Sequence, residues 1–292
     1  GLYHYDETTK SHTKIEFDLS GADDQRVSTI ATRKNELWLG FLQGGVQVID
    51  TRSGTARRPN LNHGNRMAIT KILADDNSDD VWIASYDHGL FRITASKPYS
   101  YYERQSLPEK RILSLLRSTT SIFLALSENT VYKHDPKTDQ FSEISFEFGL
   151  GETCPVIYSF AQASNDEILI GTKDYGLFVW SRENQLRNNM KLQQADASSG
   201  ISTSTIYGIE PDSEGNIWCS TQNGIVKLDA KGNLIKRFTT ADGLQGNDFT
   251  MGASFTSREG LIYFGGANGY NRIDPAEVII DRSASPLMLT DI

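Results

Sequence analysis

The chain has 292 residues, 38% of them hydrophobic and 23% charged, the balance of an ordinary globular protein rather than a disordered one. Its net charge is −8 with no cluster of Lys and Arg, which argues against a nucleic-acid partner and against an anionic lipid surface. No apolar run approaches the ~20 residues of a membrane span, so direct membrane insertion by these residues is not expected.

Taken in chain order, the elements repeat. A segment that opens on Gly and closes near Asp appears as GLYHYD at Gly1, GVQVID at Gly45, GLFRIT at Gly89, TVYKHD at Thr130, GLFVWS at Gly176, GIVKLD at Gly224 and GYNRID at Gly269. The spacings are 44, 44, 41, 46, 48 and 45 residues. Before six of these stand ELWLGF, DVWIAS, SIFLAL, EILIGT, NIWCST and LIYFGG, with Trp38, Trp82, Phe123, Leu169, Trp218 and Tyr263 at one shared position. Earlier still in each unit come RVSTIAT, AITKILA, RILSLLR, VIYSFAQ, TIYGIEP and TMGASFT, and a trailing segment follows several units, as in KIEFD, SYYER, FSEIS and IKRFT. Every segment is short, rich in β-branched and aromatic residues and bounded by Gly, Asn, Asp or Ser, and helical periodicity is nearly absent.

Each unit therefore reads as four antiparallel strands, A to D. One such sheet cannot bury its faces alone, but several packed radially can. The expected fold is an all-β propeller of four-stranded antiparallel blades, of the seven-bladed type. Residues 1–282 form the propeller. Within them, residues 1–18 supply the outer strands of an incomplete blade, and six further blades occupy 26–282. Two readings close that first blade: strands A and B encoded upstream, or a C-terminal strand folding back. Residues 283–292 form an exit strand towards a following domain. The sequence opens at Gly1 without a basic-then-apolar leader, so any signal peptide is expected to lie outside it.

The turn DSEGN between strands A and B of one unit suits tight-turn geometry at Asp212, Gly215 and Asn216. A sialidase-type Asp-box also ends in Gly-x-x-Trp, but it wants Asp at Ser213 and Ser at Pro211. Cys154 and Cys219 have neither CxxC spacing nor zinc spacing with His, and Cys219 beside Trp218 reads as a small buried hydrophobe. The acidic run from Asp75 to Asp80 lacks the spaced ligand pattern of a calcium loop and reads as a solvated A–B loop. No metal and no cofactor are expected.

The stretches DSEGNIWCSTQNGIVKLD and TRKNELWLGFLQGGVQVID resemble the two-component-regulator propeller repeat. The C-terminal part is similar to the closing blade of the sensor region of that family. It carries Gly243, Leu244, Asn247 and Phe249, then Gly260, Tyr263, Phe264, Gly265, Gly266 and Gly269, then Asp274 and Pro275. The third blade departs from the pattern, with Phe123 for Trp and Thr130 for Gly, and several blades lack the Asp-x-x-Gly turn. The resemblance implies the extracytoplasmic, periplasmic sensor of an inner-membrane signalling protein. It further implies a hybrid histidine kinase or a diguanylate cyclase as output, and an oligosaccharide or other small molecule as ligand.

In a propeller the B–C and D–A loops emerge together around the central channel, and binding on that face is the expectation by analogy of fold. The B–C loops carry Gln43, Tyr86-Asp87-His88, Ser127-Glu128-Asn129, Lys173-Asp174-Tyr175, Gln222-Asn223 and Asn268. The D–A loops carry Arg26, His63-Asn65-Arg66, Lys110-Arg111 and Asn247-Asp248. Tyr86, Asp87, His88, Lys173, Asp174 and Tyr175 lead the candidates because two blades repeat an Asp–aromatic motif at one loop position. Arg26, Arg66 and Arg111 recur at the entry to strand A and suit a carboxylate. Gln222 and Asn223 complete the set. These residues can also be read as turn caps facing water.

No G-x-S-x-G, H-E-x-x-H or P-loop is present, and the five histidines are scattered, so no catalytic residues are assigned. The expected function is ligand sensing by a receptor that signals through rearrangement of a homodimer. The alternatives are a carbohydrate-active propeller enzyme, lyase or sialidase-like, and a protein–protein scaffold.

Overall fold

The computed structural model describes residues 2–6, 8–15, 26–61, 66–74, 80–94, 100–102, 107, 111–119, 121–126, 130–151, 155–187, 189–195 and 201–278. Cys154, His63, Asn65, Lys110, Glu128, Asp75–Asp79 and the expected exit strand 283–292 lie outside the described residues. A two-stranded hairpin comes first, β1 (Tyr3–Asp6) and β2 (Ser11–Lys14). Five four-stranded antiparallel sheets follow in sequence order. Blade 1 is β3 (Val27–Arg33), β4 (Glu36–Phe41), β5 (Val46–Asp50) and β6 (Ala56–Arg57). Blade 2 is β7 (Ile69–Leu73), β8 (Val81–Ser85), β9 (Gly89–Ile93) and β10 (Ser100–Tyr102). Blade 3 is β11 (Ile112–Arg117), β12 (Ile122–Leu126), β13 (Val131–Asp135) and β14 (Gln140–Ile144). Blade 4 is β15 (Ile157–Gln162), β16 (Ile168–Thr172), β17 (Leu177–Trp180) and β18 (Gln193–Gln194), with the short helix α1 (Arg182–Leu186) between its last two strands. Blade 5 is β19 (Ile206–Pro211), β20 (Ile217–Thr221), β21 (Gly224–Leu228) and β22 (Leu234–Phe238). Blade 6 shows three strands among the described residues, β23 (Phe249–Thr256), β24 (Ile262–Gly266) and β25 (Gly269–Ile273).

The protein is a β-propeller, and its core lies between blades rather than inside them. Trp38 packs on Ile72 and Ile83 of blade 2, Trp82 on Leu115 and Leu124 of blade 3, and Trp218 on Phe249 and Phe264 of blade 6. All three indoles are at most 1% exposed. Strand C adds a cation over the strand-B ring: Arg92 lies 4.9 Å from the Trp82 centroid and Lys227 lies 4.8 Å from that of Trp218. Two residues beyond the aromatic, every blade has a small residue: Gly40, Ala84, Ala125, Gly171, Ser220 and Gly265. The backbones approach closely there. A Cβ on Gly40 would stand 2.6 Å from the methyls of both Thr29 and Ile69, the latter in the next blade.

The turns explain the rest of the repeat. Strand C is entered in a left-handed conformation, as at Gly176 (φ 75°) and Gly224 (φ 95°), where a side chain would also collide with the carbonyls of Ile201 and Phe238. The Asp closing strand C accepts backbone N–H groups of the C–D turn. Asp50 bonds Arg52 and Ser53 at 2.9 and 2.8 Å, and Asp229 bonds Lys231 and Asn233 at 2.9 Å each. The second strand of the first hairpin is described at Ser11–Lys14, after a tight reversal in which Lys10 takes φ 53°, while residues 16–18 of the KIEFD segment lie outside the described residues.

Candidate functional site

The inner A strands surround the channel, β3 beside β7, then β11, β15, β19 and β23 in turn. In the first five blades the A strand carries an irregular pairing step near its start, leaving Ser28, Thr70, Leu113, Tyr158 and Tyr207 without a ladder partner. The Ser28 and Thr70 hydroxyls bond the A strand of the next blade, at Ile69 O (2.5 Å) and Ile112 O (2.8 Å), whereas Tyr207 lies near Asp248 and Asp174 of the D–A and B–C loops. That the two loop sets share a face follows from bonds across blades: Gly45 N–H to Met67 O at 3.0 Å, Gly176 N–H to Ser204 O at 2.8 Å and Gly224 N–H to Asn247 O at 2.9 Å.

The bulges put two tyrosines side by side. The rings of Tyr158 and Tyr207 are stacked, with centroids 6.4 Å apart and an interplanar angle of 20°. Burial, and then the nearby negative charge of Asp248 and Asp174 together with Tyr158, pushes the Tyr207 phenol above its usual value. An aromatic platform with carboxylates beside it can stack on a sugar ring and accept hydroxyl protons. Sequence reasoning had placed Asp174 and Asp248 on this face but missed Tyr158 and Tyr207. The signal was the Ile-Tyr entry shared by VIYSFAQ and TIYGIEP.

The leading candidates divide. Asp87 holds its loop together: its Oδ1 accepts the Ala68 N–H at 3.0 Å and the Ser85 hydroxyl at 2.6 Å, and lies 2.8 Å from His88 Nδ1. Burial would raise its carboxyl, but the hydrogen bonds from His88, Ser85 and Ala68 prevail and hold it below the usual range. Asp174 (φ 64°) accepts the Thr205 hydroxyl at 2.8 Å, and the Gln222 side-chain oxygen accepts the Thr205 N–H at 2.6 Å, so both fasten the entry to β19. Asn223 receives Arg237 on its carbonyl at 3.3 Å. Tyr175 packs partly into the core between blades 3 and 4. Tyr86 and Lys173 remain exposed on the rim. Arg26, Arg66 and Arg111 are exposed at the entries to β3, β7 and β11. The mouth thus carries Arg26, Arg66 and Arg111 with Tyr86 and Asp87 on blades 1 to 3, and Tyr158, Tyr207, Asp174 and Asp248 with Lys173 on blades 4 to 6.

On the opposite face His134 is 3% exposed, with its Nε2 2.8 Å from Asp139 and its ring 5.0 Å from that of Trp82. It packs between blades 2 and 3, against Trp82 and Phe141. Cys219 is fully buried, and burial pushes its thiol well above the usual range. The DSEGN turn is structural: Asp212 accepts the Trp218 indole N–H at 2.9 Å and the backbone N–H groups of Glu214 and Asn216 at 3.0 and 2.8 Å. No helix among the described residues is long and apolar enough to cross a membrane.

The fold and its repeat define a β-propeller of antiparallel blades. Residues 200–223, which contain the β19–β20 hairpin, match the family model described as two component regulator propeller. Histidine kinase P4 of Formosa agariphila is 24% identical over 121 residues, which is 41% of this chain and 8% of that protein. The extracellular domain of BT4673 from B. thetaiotaomicron, described as a hybrid two component system, superposes with a TM-score of 0.73 at 18% identity over 93% of this chain and 35% of that one. A catalytically inactive virginiamycin B lyase from Staphylococcus aureus shares the fold at a TM-score of 0.63 and 15% identity, over 87% of this chain and 83% of that one. The chain spans about a third of the extracellular domain and a much smaller part of the kinase.

Proposed function

We propose that this propeller is the periplasmic ligand-sensing module of a two-component-type receptor and that it takes a neutral or weakly charged oligosaccharide at the channel mouth. The observation that carries the reading is the stacked Tyr158–Tyr207 pair flanked by Asp174 and Asp248 on the face of the B–C and D–A loops. The likeness to extracellular domains of hybrid two component systems supports a sensing role over a catalytic one. His88 pairs with Asp87 at the B–C turn and His134 bonds Asp139 at the C–D turn, so these two histidines do not act on one substrate together. Binding that favours one arrangement of a receptor homodimer would transmit the signal to a kinase or cyclase output.

The test is a thermal-shift and calorimetric screen of the purified chain against neutral and acidic di- to hexasaccharides. A hit should weaken at least tenfold in Tyr158→Ala and in Tyr207→Ala, and less in Tyr86→Ala. A hit that both tyrosine variants bind unchanged would place the site elsewhere. A sugar that is cleaved rather than held would remove the sensor reading.

A further inference from the structure

The stacked tyrosines stand between two carboxylates, and both are set in place by the packing around them. Tyr207 packs on the cluster that Trp218, Ile225 and Phe249 build between blades 5 and 6, and its ring lies beside that of Tyr158 in blade 4. Asp174 is fixed from the blade 4 side. Its Oδ1 accepts the Thr205 hydroxyl at 2.8 Å, and its own N–H donates to that hydroxyl at 3.2 Å, two residues before Tyr207.

Asp248 is fixed from the blade 6 side by its chain neighbours. The Asn247 carbonyl accepts the Gly224 N–H at 2.9 Å, and the buried Phe249 shares a cluster with Tyr207. The Asp248 side chain is exposed and has no hydrogen-bond or ion-pair partner among the described residues. Asp174 spends one oxygen on Thr205 and keeps the other.

The sign of the charge here is uniform. After burial, the groups that raise the Tyr207 phenol are Asp248, Tyr158 and Asp174, and no cation stands among them. Lys173, beside Asp174 in the same turn, is exposed and does not enter that set. A carboxylate-bearing sugar unit would meet like charge at this end of the mouth. A metal ion fits poorly, because no three His, Cys, Asp or Glu converge among the described residues and a hard cation gathers more oxygens than two carboxylates offer. An ammonium fits well. It brings three N–H donors for carboxylate oxygens and is drawn to the face of a tyrosine ring.

We propose that this end of the mouth selects a saccharide unit carrying a free, protonated amine, an amino sugar, over the same unit in N-acetylated form. The inference rests on the saccharide reading of the mouth and narrows it. The sugar ring stacks on the tyrosine pair, and its ammonium takes up the Asp248 carboxylate and the remaining oxygen of Asp174. One exposed ion pair would contribute little. Two carboxylates acting with an aromatic face supply the preference.

Calorimetry with a glucosamine trisaccharide and its N-acetylated counterpart compares one scaffold with and without the charge. The amine form should bind about tenfold tighter at low salt, and the advantage should shrink as salt approaches ~0.5 M. Asp248→Asn changes an exposed side chain without a partner, so its melting temperature should match the parent. It should remove most of the amine advantage and leave affinity for the N-acetylated form within about twofold. Tyr207→Ala should weaken both forms. Equal affinity for the two forms, tighter binding of a uronic acid trisaccharide, or an amine preference that survives Asp248→Asn overturns the inference. If Tyr207→Ala still weakens the sugar that binds, the mouth reading stands without it. Failure of both forms to bind also overturns the inference, and the wider saccharide screen then decides the mouth reading by itself.

Discussion

Replacing Asp212 by Ala tests the idea that the DSEGN turn is built to serve Trp218. The carboxylate is 6% exposed and ties three elements together. Oδ2 accepts the indole N–H of Trp218 at 2.9 Å and the side-chain amide of Asn216 at 3.0 Å, while Oδ1 accepts the N–H groups of Glu214 and Asn216. Trp218 has no exposure at all, so water cannot replace the lost acceptor. A buried donor left without a partner costs about 1–3 kcal/mol. The two turn N–H groups lie nearer water, and their loss adds about 1 kcal/mol in total. The expected penalty for Asp212→Ala is therefore about 3 kcal/mol, a fall of roughly 6 °C in melting temperature for a chain of this size. Asp212→Asn keeps one acceptor oxygen, which can serve the indole or the turn but not both, and should cost about half as much. Urea unfolding followed by far-ultraviolet circular dichroism measures both variants. A loss below 1 kcal/mol for Asp212→Ala would show that the buried indole does not depend on the turn.

Gly171→Ala should destabilise by about 2 kcal/mol, since its new methyl meets Ser159 and Ile206 across the blade contact, and a urea midpoint checks it. Burial pushes the Glu210 carboxyl up and the Lys71 ammonium down on the channel wall, each offset in part by the other's charge. The raised Glu210 value means that its contribution to stability is present below its ordinary pKa and is lost as pH climbs through the folded-state value. Joint replacement by Lys71→Met and Glu210→Gln should flatten that fall and leave stability at pH 7 unchanged or about 1 kcal/mol higher, read from urea midpoints across pH. Asp50 is held below the usual carboxylate range chiefly by the Ser53 N–H, with the Ser53 hydroxyl and the Arg52 N–H adding to it. Its support of the turn is present above its ordinary pKa and fades as pH falls through the lowered folded-state value; an NMR titration of its carboxyl above the usual range would contradict this.

The blades were legible in the sequence because the features that repeat are the ones the turns and contacts demand. Gly224 and Gly176 stand where a side chain would strike a carbonyl, and Trp38, Trp82 and Trp218 stand where the next blade closes over them. The loop face was legible for the same reason. The roles within it were not. Asp87, Asp174 and Gln222 looked like ligand groups, but each spends an oxygen on the entry to an A strand, that of its own blade for Asp87 and Gln222 and that of the next blade for Asp174. Tyr158 and Tyr207 looked like strand residues of either orientation. Only the irregular pairing between Ile206 and Gly208, and between Ile157 and Ser159, decides that they reach the mouth. Helix α1 interrupts the trailing segment of blade 4 through a Ser181 cap that accepts the Asn184 N–H, a local signal too short to compete with a repeat.

Arg26 directly precedes β3 and Asp248 directly precedes β23, so the first and last of the described A strands each carry one charged residue at the mouth, one basic and one acidic. The distance between these two residues follows the spacing of β3 and β23. A ligand that touched both would favour one spacing of the two strands over others, and its affinity would change with any change in that spacing.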